Sequence, residues 1–281
     1  MKLKVKYDDE LLNYLYDNLD CPKKKIKQYL THKSIYVNNN IVTQFNYPLV
    51  AGMNITIDTN NKNKGHLPFD ILFEDENIIV VNKPSGLLTI ATLKEKEKTL
   101  YHIVSTYLKK ENRNAKVFVV HRLDKDTSGI VVLAKNEKVK NLLQEEWNNI
   151  VKLREYVAVV NGHLSKKEDR IVQKLKETKT NLVYVSKDGK EAITNYKVIK
   201  ESKKYSLVSI NIETGRKNQI RVAFSSLKKP IVGDKKYGEK KDTAPRLYLH
   251  ANRLKMYYPI IKKDILFEVS IPQEFKILMN K

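Results

Sequence analysis

The segment HRLDKDTSG, residues 121–129, concentrates a histidine, two cations and two carboxylates between two apolar runs. These runs, KVFVV at 116–120 and IVVLA at 130–134, have the composition of buried strands. A carboxylate at a strand end stays ionised, and so basic or nucleophilic, only when a cation or several donors hold it. Asp124 is the candidate for such chemistry. A polar turn without chemistry is the alternative, because Asp, Thr, Ser and Gly all favour turns.

Arginine is scarce in this chain, since only 8 of the 53 basic residues are Arg. Where a solvated charge suffices the sequence uses lysine, so an arginine is expected where a planar, bidentate donor is needed. Apolar spacing predicts a helix over residues 218–227. The buried side of this helix is predicted to comprise Ile220, Ala223, Phe224 and Leu227. Arg221 lies beside that side and is a candidate cation for holding Asp124.

Several common kinds of site are excluded by the sequence. The nine glycines never fall two positions apart, which excludes the G-x-G dinucleotide fingerprint. A single cysteine, Cys21, excludes a cysteine zinc site and an internal disulfide. The acidic cluster EDE at 74–76 offers oxygen ligands for Mg²⁺, but its first interpretation is the tip of a hairpin.

Length and charge bound the class of protein. A chain of 281 residues predicts about two domains. A formal net charge of +21 favours a polyanionic partner, with nucleic acid first and an anionic membrane surface second. A lysine-rich genome composition is the alternative explanation. With one cysteine, no signal peptide and no apolar run of bilayer length, we expect a cytoplasmic protein without a membrane partner.

The chain divides into a small module at 1–58, a polar linker at 59–69 and a larger domain at 70–281. In the module, a basic helix beside short strands is a candidate RNA-docking face. Its candidate RNA-binding residues are Lys23, Lys24, Lys25 and Lys27. A solvated helix surface is an equally good interpretation. In the domain, strands follow one another with helices as separate insertions, which predicts an α+β fold with a mixed, largely antiparallel sheet and flanking helices.

Segments spread along the larger domain resemble the pseudouridine synthases of the large-subunit ribosomal RNA type. They are NKPSG at 82–86, HRLDKDTSG at 121–129, LREYVAVVNG at 153–162, TGRKNQIRVAF at 214–224, PIVGDKKYG at 230–238 and RLYLHANRL at 246–254. Residues 1–58 are similar to the S-four-like RNA-binding module that often precedes this catalytic domain. The chain departs from the family pattern at Asn218 and Tyr258, where the family often has His.

The resemblance implies isomerisation of uridine to pseudouridine in RNA without a cofactor or a metal. Asp124 would be the essential carboxylate, and it would either attack the ribose or remove a ribose proton. Arg221 would hold Asp124 ionised. Tyr156 would pack on the uracil, and its hydroxyl is a candidate acceptor of the final base proton. Substrate contacts are expected from His121, Arg122 and Thr127, and His121 and Arg122 are also expected to make scaffold contacts. Because the target base must leave its stack, Arg122 is expected to fill the gap or grip phosphate.

The resemblance favours large-subunit ribosomal RNA as substrate, with transfer RNA as another possibility, and a monomer is expected. The first alternative is a catalytically silent RNA-binding or ribosome-assembly protein on the same fold. The presence of Asp124, Tyr156 and Arg221 together argues against it. The second alternative is a metal-dependent nuclease built on the acids at 74–76.

Overall fold

The computed structural model describes residues 1–31, 34–38, 40–58, 67–93, 95–239 and 241–280. Most of the predicted linker, at 59–66, lies outside the described residues. The chain forms two compact units, Met1–Leu67 and Pro68–Lys281. Within the described ranges, no helix has the length and apolar character needed to cross a membrane.

The first unit packs two helices and short strands around its own core. Its elements are β1 (Lys2–Lys4), β2 (Asp9–Glu10), α1 (Leu11–Asn18), α2 (Lys23–Thr31), β3 (Ile35–Val37), β4 (Asn40–Ile41), β5 (Pro48–Leu49) and β6 (Asn54–Ile57). One sheet has the order β1-β6-β3-β4, and β2 pairs with β5. The core includes Leu15 of α1 and Ile26 and Leu30 of α2, so α2 buries one stripe and turns its lysines outward.

The second unit is built on one large sheet. Its elements are β7 (Ile71–Glu74), β8 (Ile78–Lys83), α3 (Leu100–Glu111), β9 (Phe118–Val119), β10 (Ser128–Ala134), α4 (Glu137–Glu145), α5 (Trp147–Ile150), β11 (Val151–Asn161), β12 (Glu168–Glu177), β13 (Val183–Val185), β14 (Lys190–Glu201), β15 (Tyr205–Ile212), α6 (Gln219–Ser226), β16 (Leu249–Tyr258), β17 (Lys263–Glu268) and α7 (Gln273–Met279). The sheet order is β13-β12-β14-β15-β11-β16-β10-β8-β7, with β17 on β16 and β9 on β10. The predicted α+β class with a mixed, largely antiparallel sheet is confirmed.

The one parallel pairing in the described part of this sheet joins β10 to β16 at the end of the segment 121–129. Ser128 is in register with His250, and Gly129 with Ala251. Gly129 has φ +118°, and a Cβ at this position would lie 2.2 Å from the backbone oxygen of Ala251. Only glycine allows β16 to pass this close, so the segment 121–129 is fixed where the two strands meet.

The run at 116–120 forms less strand than predicted, because only Phe118 and Val119 pair with β10. The carbonyl oxygens of Val119 and Val120 instead accept hydrogen bonds from the side-chain amide of Gln144 in α4. The side chain of Gln144, distant in sequence, therefore satisfies carbonyl groups that a longer strand would have paired with a neighbouring strand. Residues 121–127 form the loop between β9 and β10.

Helix α6 covers most of the predicted span and buries Ile220, Ala223 and Phe224 as expected. The prediction that Leu227 is buried is wrong, since 37% of its surface is exposed. The helix ends at Ser226, and Lys228 takes a left-handed conformation with φ +57°. This turn releases Leu227 from the helical stripe and exposes it.

Candidate active site

A cavity of about 430 Å³ lies beside Asp124 in the second unit. Its volume falls in the range usual for small-ligand sites. Its wall combines cations with apolar side chains, among them Arg122, Leu123, Tyr156, Ile212, Arg216, Lys217, Ile220, Arg221 and Leu249. A flat, anionic ligand such as a nucleotide fits this combination, because the base needs apolar contact and the phosphates need cations.

Asp124 and Arg221 meet in this cavity although they come from different elements. Nη1 of Arg221 lies 3.6 Å from Oδ2 of Asp124. The Asp124 side chain is 26% exposed, whereas Arg221 is buried. A carboxylate in this position is held by a cation on one side and open to the cavity on the other, so it can act as a base or a nucleophile.

The loop that carries Asp124 is fastened by the segment that follows β8. Thr89 Oγ1 donates to the carbonyl of Leu123 at 2.8 Å, and Ser85 Oγ donates to the carbonyl of Asp126 at 2.6 Å. The backbone amide of Gly86 donates to the carbonyl of Lys125 at 2.9 Å. Backbone on both sides of Asp124 is therefore fixed independently of its side chain.

Lys83 supplies a further contact to the same loop. Its Nζ donates to the carbonyl oxygens of Pro84, Leu87 and Lys125 at 3.0, 2.8 and 3.1 Å. The residue is 0% exposed. Burial lowers the pKa of the Lys83 ammonium to about 7, although the charges of Asp126 and Asp124 oppose this change.

Tyr156 lies on β11 and lines the cavity beside Asp124. Burial raises the pKa of its hydroxyl to about 12, with the charge of Asp124 adding to the rise and Arg154 opposing it. Tyr156 is thus a neutral phenol at neutral pH. A neutral ring is suited to packing against a base, and it is a weak acceptor for a base proton.

His121 lies away from the cavity that Asp124 lines. Its Nε2 accepts the backbone amide of Val132 at 3.0 Å, and its ring is 4.7 Å from that of Trp147. Burial and the nearby Arg154 charge lower the pKa of His121 to about 4, so the imidazole is neutral. These contacts are scaffold contacts, and the predicted substrate contact of His121 stays a prediction.

The other two predicted substrate contacts line the cavity. Arg122 is exposed at its wall. Thr127 is 3% exposed, and its backbone amide donates to the carbonyl of Asp124 at 3.2 Å. Arg122 is therefore accessible to a ligand in the cavity, whereas Thr127 closes the turn that contains Asp124.

The four candidate RNA-binding lysines, at 23–25 and 27, are exposed on α2 of the first unit. Lys23 lies 5.0 Å from the ring centroid of Tyr16.

The acids at 74–76 of the second unit are held in its first hairpin. Glu74 pairs with Lys135 at 2.7 Å, and Asp75 accepts the hydroxyl of Tyr258 at 2.9 Å. Metal chemistry is not needed to explain these acids.

Two residues of the site were not identified from the sequence. Lys83 ends the apolar strand β8, where a lysine is unusual because charged groups are rarely buried. Asp234 is 0% exposed and binds Arg221 through both carboxylate oxygens. The signal in both cases was a charged residue one position beyond an apolar run, since Lys83 follows IIVVN and Asp234 follows PIVG.

Comparisons with known proteins agree on one family. A family model described as RNA pseudouridylate synthase matches residues 77–226. The chain is 31% identical over 277 residues to the uncharacterized RNA pseudouridine synthase YhcT of Bacillus subtilis, covering 95% of this chain and 91% of the relative. It is 31% identical over 277 residues to ribosomal large subunit pseudouridine synthase D of Buchnera aphidicola, covering 91% and 88%.

The fold is also similar to that of solved human proteins. RNA pseudouridylate synthase domain containing 4 superposes with a TM-score of 0.61 at 24% identity, covering 73% of this chain and 90% of that chain. RNA pseudouridylate synthase domain containing 1 gives 0.59 at 21% identity, covering 72% and 83%. At these identities the likeness concerns the fold alone.

Proposed function

The chain belongs to the RNA pseudouridylate synthase family, and we propose that it acts on large-subunit ribosomal RNA with Asp124 as the catalytic carboxylate. The family activity is an isomerisation that converts uridine to pseudouridine in RNA. The bond from N1 of uracil to the ribose breaks, and a bond from C5 forms. C5 loses a proton and N1 gains one, so no atom is gained or lost overall.

The observation that carries the proposal is the pairing of Asp124 with Arg221 inside the cavity, at 3.6 Å. The ribose of a bound uridine would meet the open side of this carboxylate. Attack on the ribose and removal of a ribose proton both require an ionised Asp124. Nη1 of Arg221 faces this carboxylate at 3.6 Å, and the fastened loop keeps the carboxylate in place.

The apolar part of the cavity would hold the uracil while it is detached. Tyr156, Ile212 and Leu249 provide flat and aliphatic contact there. A detached base must turn without escaping, so close contact and exclusion of water are required. We assign Tyr156 to packing on the uracil, because it lines the cavity beside Asp124 and burial keeps its hydroxyl protonated.

Access to the base requires that the uridine leave its stack, which costs a few kcal/mol. Arg122 is an exposed cation on the wall of the cavity and would fill the gap or grip a phosphate. An S-four-like module would add contacts to the RNA phosphate backbone through Lys23, Lys24, Lys25 and Lys27. We further propose that the enzyme is a monomer and binds its RNA in the cytoplasm.

Ribosomal RNA is favoured over transfer RNA because the relative from Buchnera aphidicola is named as a large-subunit enzyme. Pseudouridines are to be mapped in all RNA from cells with and without this protein, and again after complementation with wild type or with Asp124→Asn. The proposal expects at least one large-subunit site to disappear and to return only with wild type.

Each other outcome contradicts a part of the proposal. A lost site in transfer RNA alone would reject the ribosomal substrate. Return of the site with Asp124→Asn would reject the catalytic role of this carboxylate. No lost site in any RNA would support a silent RNA-binding protein.

A further inference from the structure

Arg221 has a second carboxylate partner, and we propose that this partner, Asp234, is a positioning residue that aims Arg221 at Asp124. Nε and Nη2 of Arg221 donate to Oδ2 and Oδ1 of Asp234 at 2.8 and 2.7 Å. This bidentate pair occupies one edge of the planar guanidinium and leaves Nη1 to face Asp124. The inference rests on the proposed role of Asp124.

Asp234 is itself fixed by backbone. Its Oδ1 also accepts the amides of Lys236 and Tyr237, each at 2.9 Å, and its carbonyl accepts the amide of Gly238 at 2.8 Å. The preceding Gly233 has φ +75°, and a Cβ there would lie 1.7 Å from the carbonyl oxygen of Arg246. The carboxylate is therefore set by the fold of its own turn, before any RNA is bound.

The face and the third nitrogen of the guanidinium are confined by two more side chains. The Tyr237 ring centroid is 5.3 Å from Cζ of Arg221. The Tyr237 hydroxyl accepts Nδ2 of Asn218 at 2.9 Å, and Oδ1 of Asn218 is 3.4 Å from Nη1 of Arg221. Asp234, Tyr237 and Asn218 together form what we call the Arg221 clamp.

Stability is a weak reason for burying this ion pair. A buried salt bridge contributes little net stability compared with a well-packed apolar pair, because both ions lose their hydration. Burial lowers the pKa of Arg221, but the hydrogen bonds and charge of Asp234 outweigh it and raise the pKa. Arg221 in turn keeps the pKa of Asp234 below its usual value despite burial. The pair instead holds the Arg221 guanidinium in one orientation.

The test is a double-mutant cycle on the full-length protein with an RNA substrate. Asp234→Asn keeps the volume but places an amide donor against a guanidinium donor, which turns the fork away from Asp124. We expect kcat to fall by about 100-fold, while KM and the Kd for RNA change less than about 2-fold. In an Arg221→Lys background, adding Asp234→Asn should change kcat by less than about 3-fold, because the fork is already lost.

Two controls separate this role from a structural one and from the proposed function. Asp126→Asn removes a neighbouring exposed charge outside the Arg221 clamp and should keep wild-type kcat. Asp124→Asn must be inactive, and if it is active the proposed function fails whatever Asp234 does. If Asp124→Asn is inactive but Asp234→Asn has wild-type kcat, only the present inference fails.

A persistent effect of Asp234→Asn in the Arg221→Lys background also overturns the inference, since Asp234 would then act by another route. Should Asp234→Asn fail to fold, Tyr237→Phe tests the same clamp by removing the hydroxyl that accepts hydrogen bonds from Nδ2 of Asn218 and from the backbone amide of Val183. The expected result is a fall in kcat of about 10-fold at constant KM, and an unchanged kcat contradicts the clamp.

Discussion

Nη1 of Arg221 lies 3.6 Å from Oδ2 of Asp124, although Asp124 belongs to the loop before β10 and Arg221 to helix α6. The other edge of the same guanidinium is occupied by Asp234. One planar cation thus joins a buried carboxylate to a cavity-facing carboxylate. This geometry explains why the site uses one of the few arginines of a lysine-rich chain.

Arg221→Lys is expected to reduce kcat by about 100-fold at unchanged RNA affinity. A single ammonium keeps the charge but cannot bind Asp234 through two nitrogens and face Asp124 at the same time. Single-turnover conversion and RNA binding should be measured on the same preparations. Arg170→Lys is the matched control, because Arg170 makes a comparable fork with Glu213 on the exposed surface. Equal losses in both variants would contradict the role of Arg221.

Lys83 should make the stability of the protein depend on pH above neutrality. Burial lowers the pKa of Lys83 in the folded state to about 7 from its ordinary value of 10.5. Between these two values the unfolded chain binds more protons at this position, so the free energy of unfolding rises with pH. The contribution is at most about 1.4 kcal/mol per pH unit.

The dependence is measured by urea unfolding at several pH values between 7 and about 10. The unfolding free energy of wild type minus that of Lys83→Met should rise with pH. Lys125→Met, which alters an exposed lysine of the same loop, should show no such trend. A difference for Lys83→Met that is flat or falls with pH would reject the shifted titration.

Gly129→Ala is expected to lower the free energy of unfolding by more than about 3 kcal/mol. The new Cβ would overlap the Ala251 backbone at 2.2 Å, and the parallel pairing of β10 and β16 would have to open. Gly86→Ala is the control, since Gly86 has φ +84° but nothing within 4 Å of a new Cβ. The free energy of unfolding of Gly86→Ala, measured at equilibrium, should fall by only about 1 kcal/mol. Similar losses in both variants would show that the close approach of β16 is not what requires glycine.

Changing Lys23, Lys24, Lys25 and Lys27 together to Ala is expected to weaken RNA binding and its salt dependence. If all four contact phosphates, the slope of log K against log salt falls in magnitude by roughly 3. The measurement is a salt titration of RNA affinity. A variant with four arginines should keep the wild-type slope, because it keeps the charges. An unchanged slope in the alanine variant would leave α2 as a solvated surface.

The fold class and the three central side chains could be predicted from the sequence. Asp124, Tyr156 and Arg221 lie on a loop, a strand and a helix, and the structure brings all three to one cavity. The resemblance carried most of this prediction, because a short polar segment alone is also compatible with a simple turn. The helix over 218–227 followed from the helical period of its apolar residues.

Residues whose roles depend on burial were harder to predict. Lys83 and Asp234 are charged groups that sequence patterns assign to the surface, and their burial follows from partners brought in by the fold. His121 was assigned to substrate and scaffold contacts from its place in the segment that resembles the family signature. Its side chain contacts the backbone amide of Val132 and the ring of Trp147, whereas Asp124 lines the cavity. Neighbouring positions in a loop therefore need not share a site.

The most direct test of the central claim is the yield of pseudouridine from purified Asp124→Asn, compared with wild type and Asp126→Asn on the same RNA. We predict no detectable pseudouridine with Asp124→Asn, wild-type yield with Asp126→Asn, and RNA affinity within about 2-fold for all three. Pseudouridine formation by Asp124→Asn at a rate near that of wild type would contradict it.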